Sequence, residues 1–311
     1  MSELSDKPKI IYLLGPTGVG KTDAALSLAA AMRAEVVSAD SMQVYRYMDI
    51  GTAKPTTEQR GRVAHHLIDL LNPDQIFNVS LFCEHAHAAI SETRSRGHNV
   101  LVCGGSGLYL KALGGGLFTG PGRDETIRRQ LREVIRVRGL PGLVEDLRAV
   151  DPETVTGIDA QNERRVIRAM EVFELTGRPL SAWHRDHRFK EQRFRILKIG
   201  MDRPRTVLYD RIDARCEAML EAGFVEEVAM LLDRGYSPHL PSLQSVGYRQ
   251  MLQHLTGQLN FTEAAALMRR DTRRLAKRQL TWFRADAEIR WLPADELGGM
   301  MDACQAFLQT A

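Results

Sequence analysis

The stretch that decides the fold is Ile10-Ile11-Tyr12-Leu13-Leu14-Gly15-Pro16-Thr17-Gly18-Val19-Gly20-Lys21-Thr22. A short apolar run rich in β-formers breaks at Gly15, and Lys21–Met32 follows, alanine-rich and leucine-punctuated, as a helix. Between strand and helix, residues 15–22 satisfy G-x-x-x-x-G-K-[ST]. Each residue type has a physical reason to stand there. Glycines let backbone N–H groups turn inward around an anion with no Cβ in the way. The helix N-terminus adds a favourable dipole, Lys21 a point charge, and Thr22 a hydroxyl able to hold magnesium. Gly15, Pro16, Thr17, Gly18, Val19, Gly20, Lys21 and Thr22 are therefore the expected cradle for a phosphate group.

Working outward, residues 35–38 form a second short strand ending at Ala39-Asp40. Residues 79–96 read as an amphipathic helix closed by Gly97, and 100–103 as a buried strand running into Gly104-Gly105-Ser106-Gly107. Short apolar strands alternating with helices predict βαβ units: an α/β fold with a P-loop NTPase-like parallel sheet flanked by helices. In such sheets ligands bind beyond the C-terminal ends of the strands. The pattern changes at Gly114-Gly115-Gly116 and Gly120-Pro121-Gly122. Helical periodicity then predicts helices over 123–138, 142–150 and 162–175, before 194–201 alternates like a strand. The expected organisation is a core of residues 1–121 and 194–311, helical in its C-terminal part, interrupted by an all-helical domain over 122–193.

Composition narrows the function classes. Of 311 residues, 44% are apolar and 26% charged, which suits one or two ordinary globular domains. No apolar run approaches the roughly 20 residues of a membrane span, and residues 1–9 lack a signal-peptide core. The expectation is a soluble cytoplasmic protein. Cys83, Cys103, Cys216 and Cys304 are too dispersed for a zinc knuckle or a disulfide framework. His85 and His87, two apart on a helix, face different ways and make no metal pair. The net charge of +3 is unevenly spread: residues 161–205 hold 12 basic and 6 acidic side chains, and residues 268–290 hold 8 and 3. Such segments are either exposed helix faces or a surface for a polyanion.

Asp40 ends the second strand. Locally it can cap a helix or form a turn; chemically it can face the phosphate site and take a proton from a nucleophile. The strand at 100–103, where an ATPase usually places a magnesium-positioning acid, runs into glycine instead. To this point a kinase and another diphosphate-using transferase both fit.

Longer strings add a resemblance. Asp40-Ser41-Met42-Gln43-Val44-Tyr45, Asp49-Ile50-Gly51-Thr52-Ala53-Lys54-Pro55, Gly104-Gly105-Ser106-Gly107-Leu108-Tyr109, Ser245-Val246-Gly247-Tyr248-Arg249-Gln250 and Ala276-Lys277-Arg278-Gln279-Leu280-Thr281-Trp282-Phe283-Arg284 follow in order. Together with the loop they resemble the bacterial tRNA dimethylallyltransferase family across residues 9–291. The resemblance implies that the loop holds dimethylallyl diphosphate with Mg2+, Thr22 touching the metal. It implies that the N6 amine of the adenosine 3′ of the anticodon attacks the allylic carbon inside a channel. Asp40 is then the base, with Lys21 and Thr22 as its catalytic partners. Arg205, Arg211 and Arg215 match family arginines, Arg211 being the one expected on the diphosphate.

The same resemblance implies contacts to a tRNA anticodon stem-loop whose target base is flipped out. They fall at Asp40, Ser41, Met42 and Gln43, at Ser106, and at Arg128, Arg164, Arg165 and Arg168 of the insertion. Further contacts fall at Gln244, Ser245, Val246, Gly247, Tyr248 and Arg249. The last group is Lys277, Arg278, Gln279, Thr281, Trp282 and Arg284. Arg164–Arg168 and Lys277–Arg284 lie inside the two basic segments. Ser106 stands where the family usually has threonine, and Arg164 where glutamine is common. The expected protein is a monomer without membrane contact. The competing readings are a transferase acting on free adenine nucleotides, a small-molecule kinase, and a nucleic-acid-binding P-loop module without chemistry.

Overall fold

A computed structural model describes residues 7–116, 120–187 and 192–310. The chain divides into two compact units, residues 1–114 with 193–311, and residues 115–192. The second unit begins where a helix ends at Gly115, upstream of the Gly-Pro-Gly punctuation from which residue 122 was expected.

In the first unit β1 (Lys9–Leu14) leads into α1 (Lys21–Met32), β2 (Ala34–Ala39), α2 (Thr57–Arg62), β3 (His65–His66), α3 (Val79–Ser95), β4 (Asn99–Gly104) and α4 (Gly107–Gly115). The second unit holds α5 (Glu125–Val150), α6 (Pro152–Gly157), α7 (Glu163–Thr176) and α8 (Leu180–His187). The chain returns to the first with β5 (Arg195–Asp202), α9 (Arg205–Glu221), α10 (Phe224–Asp233), α11 (Tyr248–Leu255), α12 (Phe261–Arg284), β6 (Arg290–Pro293) and α13 (Leu297–Gln309).

Among the described residues six strands form one parallel sheet in the order β3-β2-β4-β1-β5-β6. Ile10 to Leu14 are all buried, as a central parallel strand covered on both faces requires. Ile11 and Leu13 share a core with Leu28 of α1, Met201 of β5, and Leu208 and Ile212 of α9. The register levels the strand ends: Leu14 pairs with Gly104 and Gly200, and Ala39 with Gly104. Four segments therefore leave the sheet side by side, the loop after β1, Asp40 after β2, Gly105 after β4 and Arg203 after β5. Because the chain completes one flank of β1 before the other, the crevice there is a topological switch point.

Among the described residues, every regular element of the second unit is a helix. Leu131, Leu143, Val144, Leu147, Val166, Ile167 and Met170 form its core. Gly139, at φ 73° and ψ 166°, breaks α5 into the two helices that the sequence predicts.

Candidate active site

The loop after β1 has the shape its glycines allow. Gly18 and Gly20 sit at φ 81° and 108°, in the left-handed region, and α1 starts on Gly20 without a side-chain cap. Its first-turn N–H groups thus remain available to an anion. The Lys21 ammonium lies inside the loop and donates to the carbonyls of Gly15 (2.9 Å) and Pro16 (2.8 Å). Burial lowers its pKa from 10.5 to about 8, Arg215 adding to that effect and Cys103 and Asp40 opposing it. The Thr22 hydroxyl makes no hydrogen bond among the described residues.

Arginines from the return of the chain close the loop's far side. Arg211 donates through Nε to the Gly18 carbonyl (3.1 Å), and Arg203 to that of Val19 (3.0 Å). Arg215 is held within electrostatic reach of Lys21 and Asp40, with burial lowering its pKa. Arg205 turns away onto Tyr209, donating to its hydroxyl and lying over its ring. Asp213 pairs with Arg273 (2.8 Å) rather than with either neighbouring arginine. Arg203 was not anticipated; the only sequence signal was its position just past the strand that pairs with β1.

Asp40 makes the turn that its position allows. Its Oδ1 accepts from the backbone N–H groups of Met42 (2.8 Å) and Gln43 (3.4 Å), a turn-capping role. Its Oδ2 has no hydrogen bond among the described residues. Close packing of β2 on β4 fixes where this carboxylate stands: a Cβ on Gly104 would lie 2.2 Å from the Ala39 carbonyl oxygen. Ser106 N–H closes the same carbonyl at 3.2 Å. Lys21, Thr22, Asp40 and Ser106 thus follow adjacent strand ends of one unit, and Arg211 and Arg215 approach them from α9.

Helix α12 borders the loop. Gln279 accepts from Thr17 N–H (2.8 Å) and donates to the Gly105 carbonyl (3.1 Å). Trp282 packs over Gly107, where a Cβ would lie 2.1 Å from the ring, and stays 45% exposed. It is therefore not a core aromatic. Lys277, Arg278, Thr281 and Arg284 are exposed with it, while Ala276 and Phe283 are buried.

Several expected RNA contacts hold other partners. Tyr248 is 1% exposed and donates its hydroxyl to Glu227 (2.6 Å), with burial and that carboxylate raising its pKa well above the usual range. Its side chain belongs to the core, which corrects the expectation for it. Gln43 is tied to Ser38 (2.9 Å) and Gln244 to the Pro238 carbonyl (2.7 Å). Arg249 pairs with Asp271 (3.2 Å). In the second unit, Arg128 and Arg168 both grip Glu171, which has no exposed side-chain surface; the pairing of Arg168 with Glu171 is the one their spacing suggests. Arg128 ties α5 to α7 through Glu171, and Arg168 also donates to the Pro121 carbonyl (2.8 Å), so structure alone accounts for both, whereas Arg164 and Arg165 are exposed.

Sequence reasoning also missed why the Asp49–Pro55 string matters. Glu227 accepts the N–H groups of Asp49 (2.8 Å), Ile50 (2.6 Å) and Gly51 (3.1 Å), and Lys54 binds Asp49 (2.5 Å), Asp69 (2.7 Å) and the Tyr45 carbonyl (2.7 Å). This lattice fixes a segment in which Tyr47, Ala53, Leu67 and Asp69 all take positive φ. Its sole sequence trace was Glu227 within the apolar helix α10.

A family model described as IPP transferase matches residues 43–286. The chain belongs to the IPP transferase family. Among IPP transferase relatives, tRNA dimethylallyltransferase 2 of Syntrophus aciditrophicus is 50% identical over 292 residues, 94% of each chain. The tRNA dimethylallyltransferase of Syntrophobacter fumaroxidans is 49% identical, covering 94% of this chain and 85% of its own. The solved tRNA isopentenylpyrophosphate transferase of Bacillus halodurans matches with a TM-score of 0.73 at 38% identity, over 97% of each chain. A eukaryotic dimethylallyltransferase acting on tRNA matches with a TM-score of 0.77 at 25% identity, over 96% of this chain and 77% of its own. The parallel sheet flanked by helices is thus the IPP transferase fold. Among the described residues no helix is long and apolar enough to cross a membrane.

Proposed function

We propose that the chain transfers the dimethylallyl group of dimethylallyl diphosphate to the exocyclic N6 amine of the adenosine 3′-adjacent to the anticodon of tRNA. The products are N6-isopentenyladenosine and diphosphate. The observation that carries this reading is the uncommitted Oδ2 of Asp40, set within electrostatic reach of Lys21 and Arg215 beside an anion cradle. The N6–C1 bond forms as the C1–O bond to diphosphate breaks. Charge develops at both ends. Asp40 takes the proton that the amine sheds, since an aryl amine is a weak nucleophile until a base accepts that proton. Lys21, Arg211 and the loop N–H groups hold the departing diphosphate.

The donor set fits magnesium: the free Thr22 hydroxyl stands at the first turn of α1, beside a loop shaped for phosphate oxygens. The ion would supply charge neutralisation on the diphosphate. The exposed stripe of Lys277, Arg278, Thr281, Trp282 and Arg284 on α12 combines cations with an aromatic face, the chemistry that holds an RNA strand and stacks its bases. Arg164 and Arg165 add exposed charge on the second unit. The reaction belongs in the cytoplasm with a monomeric enzyme.

The test is label transfer from radioactive dimethylallyl diphosphate, with magnesium, to unmodified tRNA and in parallel to AMP. Label on tRNA alone, lost in Asp40→Asn, supports the reading. Label on AMP alone moves the protein to free nucleotides, and label on neither overturns transfer altogether.

A further inference from the structure

The resemblance places Gln279 among the residues that touch tRNA; we infer that it is instead a positioning residue for the diphosphate loop. The inference rests on the reading that this loop binds diphosphate. On α12, Ala276, Gln279 and Phe283 fall three and four residues apart, hence on one face, and Ala276 and Phe283 are buried. Gln279 is therefore a polar residue on the inward face, while Lys277, Arg278, Thr281 and Trp282 are exposed.

Both ends of its amide are committed. Oε1 accepts from Thr17 N–H at 2.8 Å, and Nε2 donates to the Gly105 carbonyl at 3.1 Å. The amide orientation is fixed by its partners, because an N–H requires the oxygen and a carbonyl requires the nitrogen. One side chain thus ties the loop after β1 to the loop after β4. Thr17 opens the turn whose later N–H groups face the anion, and Gly105 precedes Ser106. Gln279 sets the spacing between the two. It also links them to a helix whose other face carries exposed positive charge, so α12 is braced against the phosphate site at the level where RNA is proposed to bind.

The test is Gln279→Met, which keeps side-chain length and packing but neither hydrogen bond. Affinity for inorganic diphosphate with magnesium is read by calorimetry, and affinity for tRNA by filter binding. The expected result is diphosphate binding weakened about tenfold, the scale of an unmet hydrogen bond in a protein interior, with tRNA binding changed less than about twofold. In steady state the KM for dimethylallyl diphosphate should rise and that for tRNA should not. Hydrogen exchange at Thr17 gives a fourth readout: its hydrogen-bonded amide should be protected in the wild type and exchange faster in the variant. Weakened tRNA binding with diphosphate affinity intact would return Gln279 to the RNA surface and overturn the inference. So would unchanged behaviour of all four readouts. Lys21→Ala separates the two levels of the argument. If it leaves diphosphate affinity intact, the loop reading itself fails; if it abolishes binding while Gln279→Met leaves it unchanged, only the brace fails.

Discussion

Asp40 Oδ1 accepts the backbone N–H of Met42 at 2.8 Å, while Oδ2 of the same carboxylate has no partner among the described residues. One oxygen shapes the turn and the other is left for chemistry. Asparagine at this position can keep the first role and must lose the second. Asp40→Asn should therefore melt within a degree or two of wild type while kcat falls by about 10² to 10⁴. Asp40→Ala should lose a further ~1 kcal/mol of stability with the cap. Turnover and thermal unfolding of the two variants decide it; equal activity of Asp40→Asn and wild type would remove Asp40 from the mechanism.

Lys21 gives a pH dependence of definite sign. Burial brings its folded pKa down to about 8 from 10.5. Between those values the unfolded chain holds more protons, so the ligand-free protein gains stability as pH rises from about 8 toward 10.5. Below that window the buried ammonium is a standing cost. Lys21→Met should stabilise the ligand-free enzyme at pH 7 by up to roughly 3 kcal/mol, read by chemical denaturation, and lose diphosphate affinity. Diphosphate binding favours the ammonium, so wild-type affinity should fall as pH climbs past about 8. Calorimetry from pH 7 to 9.5 measures that slope; a flat profile refutes it.

How far the sequence was legible depended on the range of the interaction. The phosphate loop, α1 and the central strands could be read because their signals are local: apolar runs, glycine spacing, helical periodicity. The break in α5 was legible for the same reason, as Gly139 and Pro141 lie within the motif they interrupt. β3, with two residues, and β6, with four, are too short to show a period, and their pairing with β2 and β5 depends on the assembled sheet. Within the site, the family strings located Asp40, Ser106 and α12 but could not tell a side chain that faces the ligand from one that braces it. Tyr248 and Gln279 both lie in such strings, yet their partners, Glu227 and Thr17, are distant in sequence. Only folding brings those pairs together.

Glu171 makes the second unit acid-sensitive. Burial on its own would raise the carboxyl, but Arg128, Arg168 and the Asp124 N–H hold it at about 2. Its contribution is complete above the ordinary glutamate value of 4.5 and is lost as pH falls from there toward 2. Glu171→Gln should cost ~2–4 kcal/mol, near the low end for breaking a buried pair because both arginines keep some solvent contact. Hydrogen exchange over Glu163–Thr176 should show the loss at neutral pH. Unchanged protection there would mean that the apolar core carries the unit without this cluster.

Gly104 is the tightest contact near Asp40. An added methyl would meet the Ala39 carbonyl oxygen at 2.2 Å, and both groups are backbone in paired strands, so neither can swing aside. Gly104→Ala should destabilise by ~1–3 kcal/mol, the usual cost of overpacking a core. It should also lower kcat by moving Asp40. Chemical denaturation and turnover together test this; a variant as stable and active as wild type would show that the strands can separate there.

Trp282 rests on Gly107 with nearly half its surface open, so removing the ring should leave folding almost untouched. If a base of the RNA stacks on it, Trp282→Ala loses ~1–3 kcal/mol of binding, the range measured for base–aromatic stacking. Trp282→Phe should lose less, because a smaller π-face remains. Lys277→Ala and Arg278→Ala should act differently: each removes a phosphate contact, so affinity falls and its salt dependence becomes shallower. The tryptophan variants should keep the wild-type slope, since stacking releases no counterions. Filter binding of tRNA over a salt series distinguishes the two behaviours. A parallel loss of slope in Trp282→Ala would mean that the ring only supports its charged neighbours on α12 and makes no stack of its own.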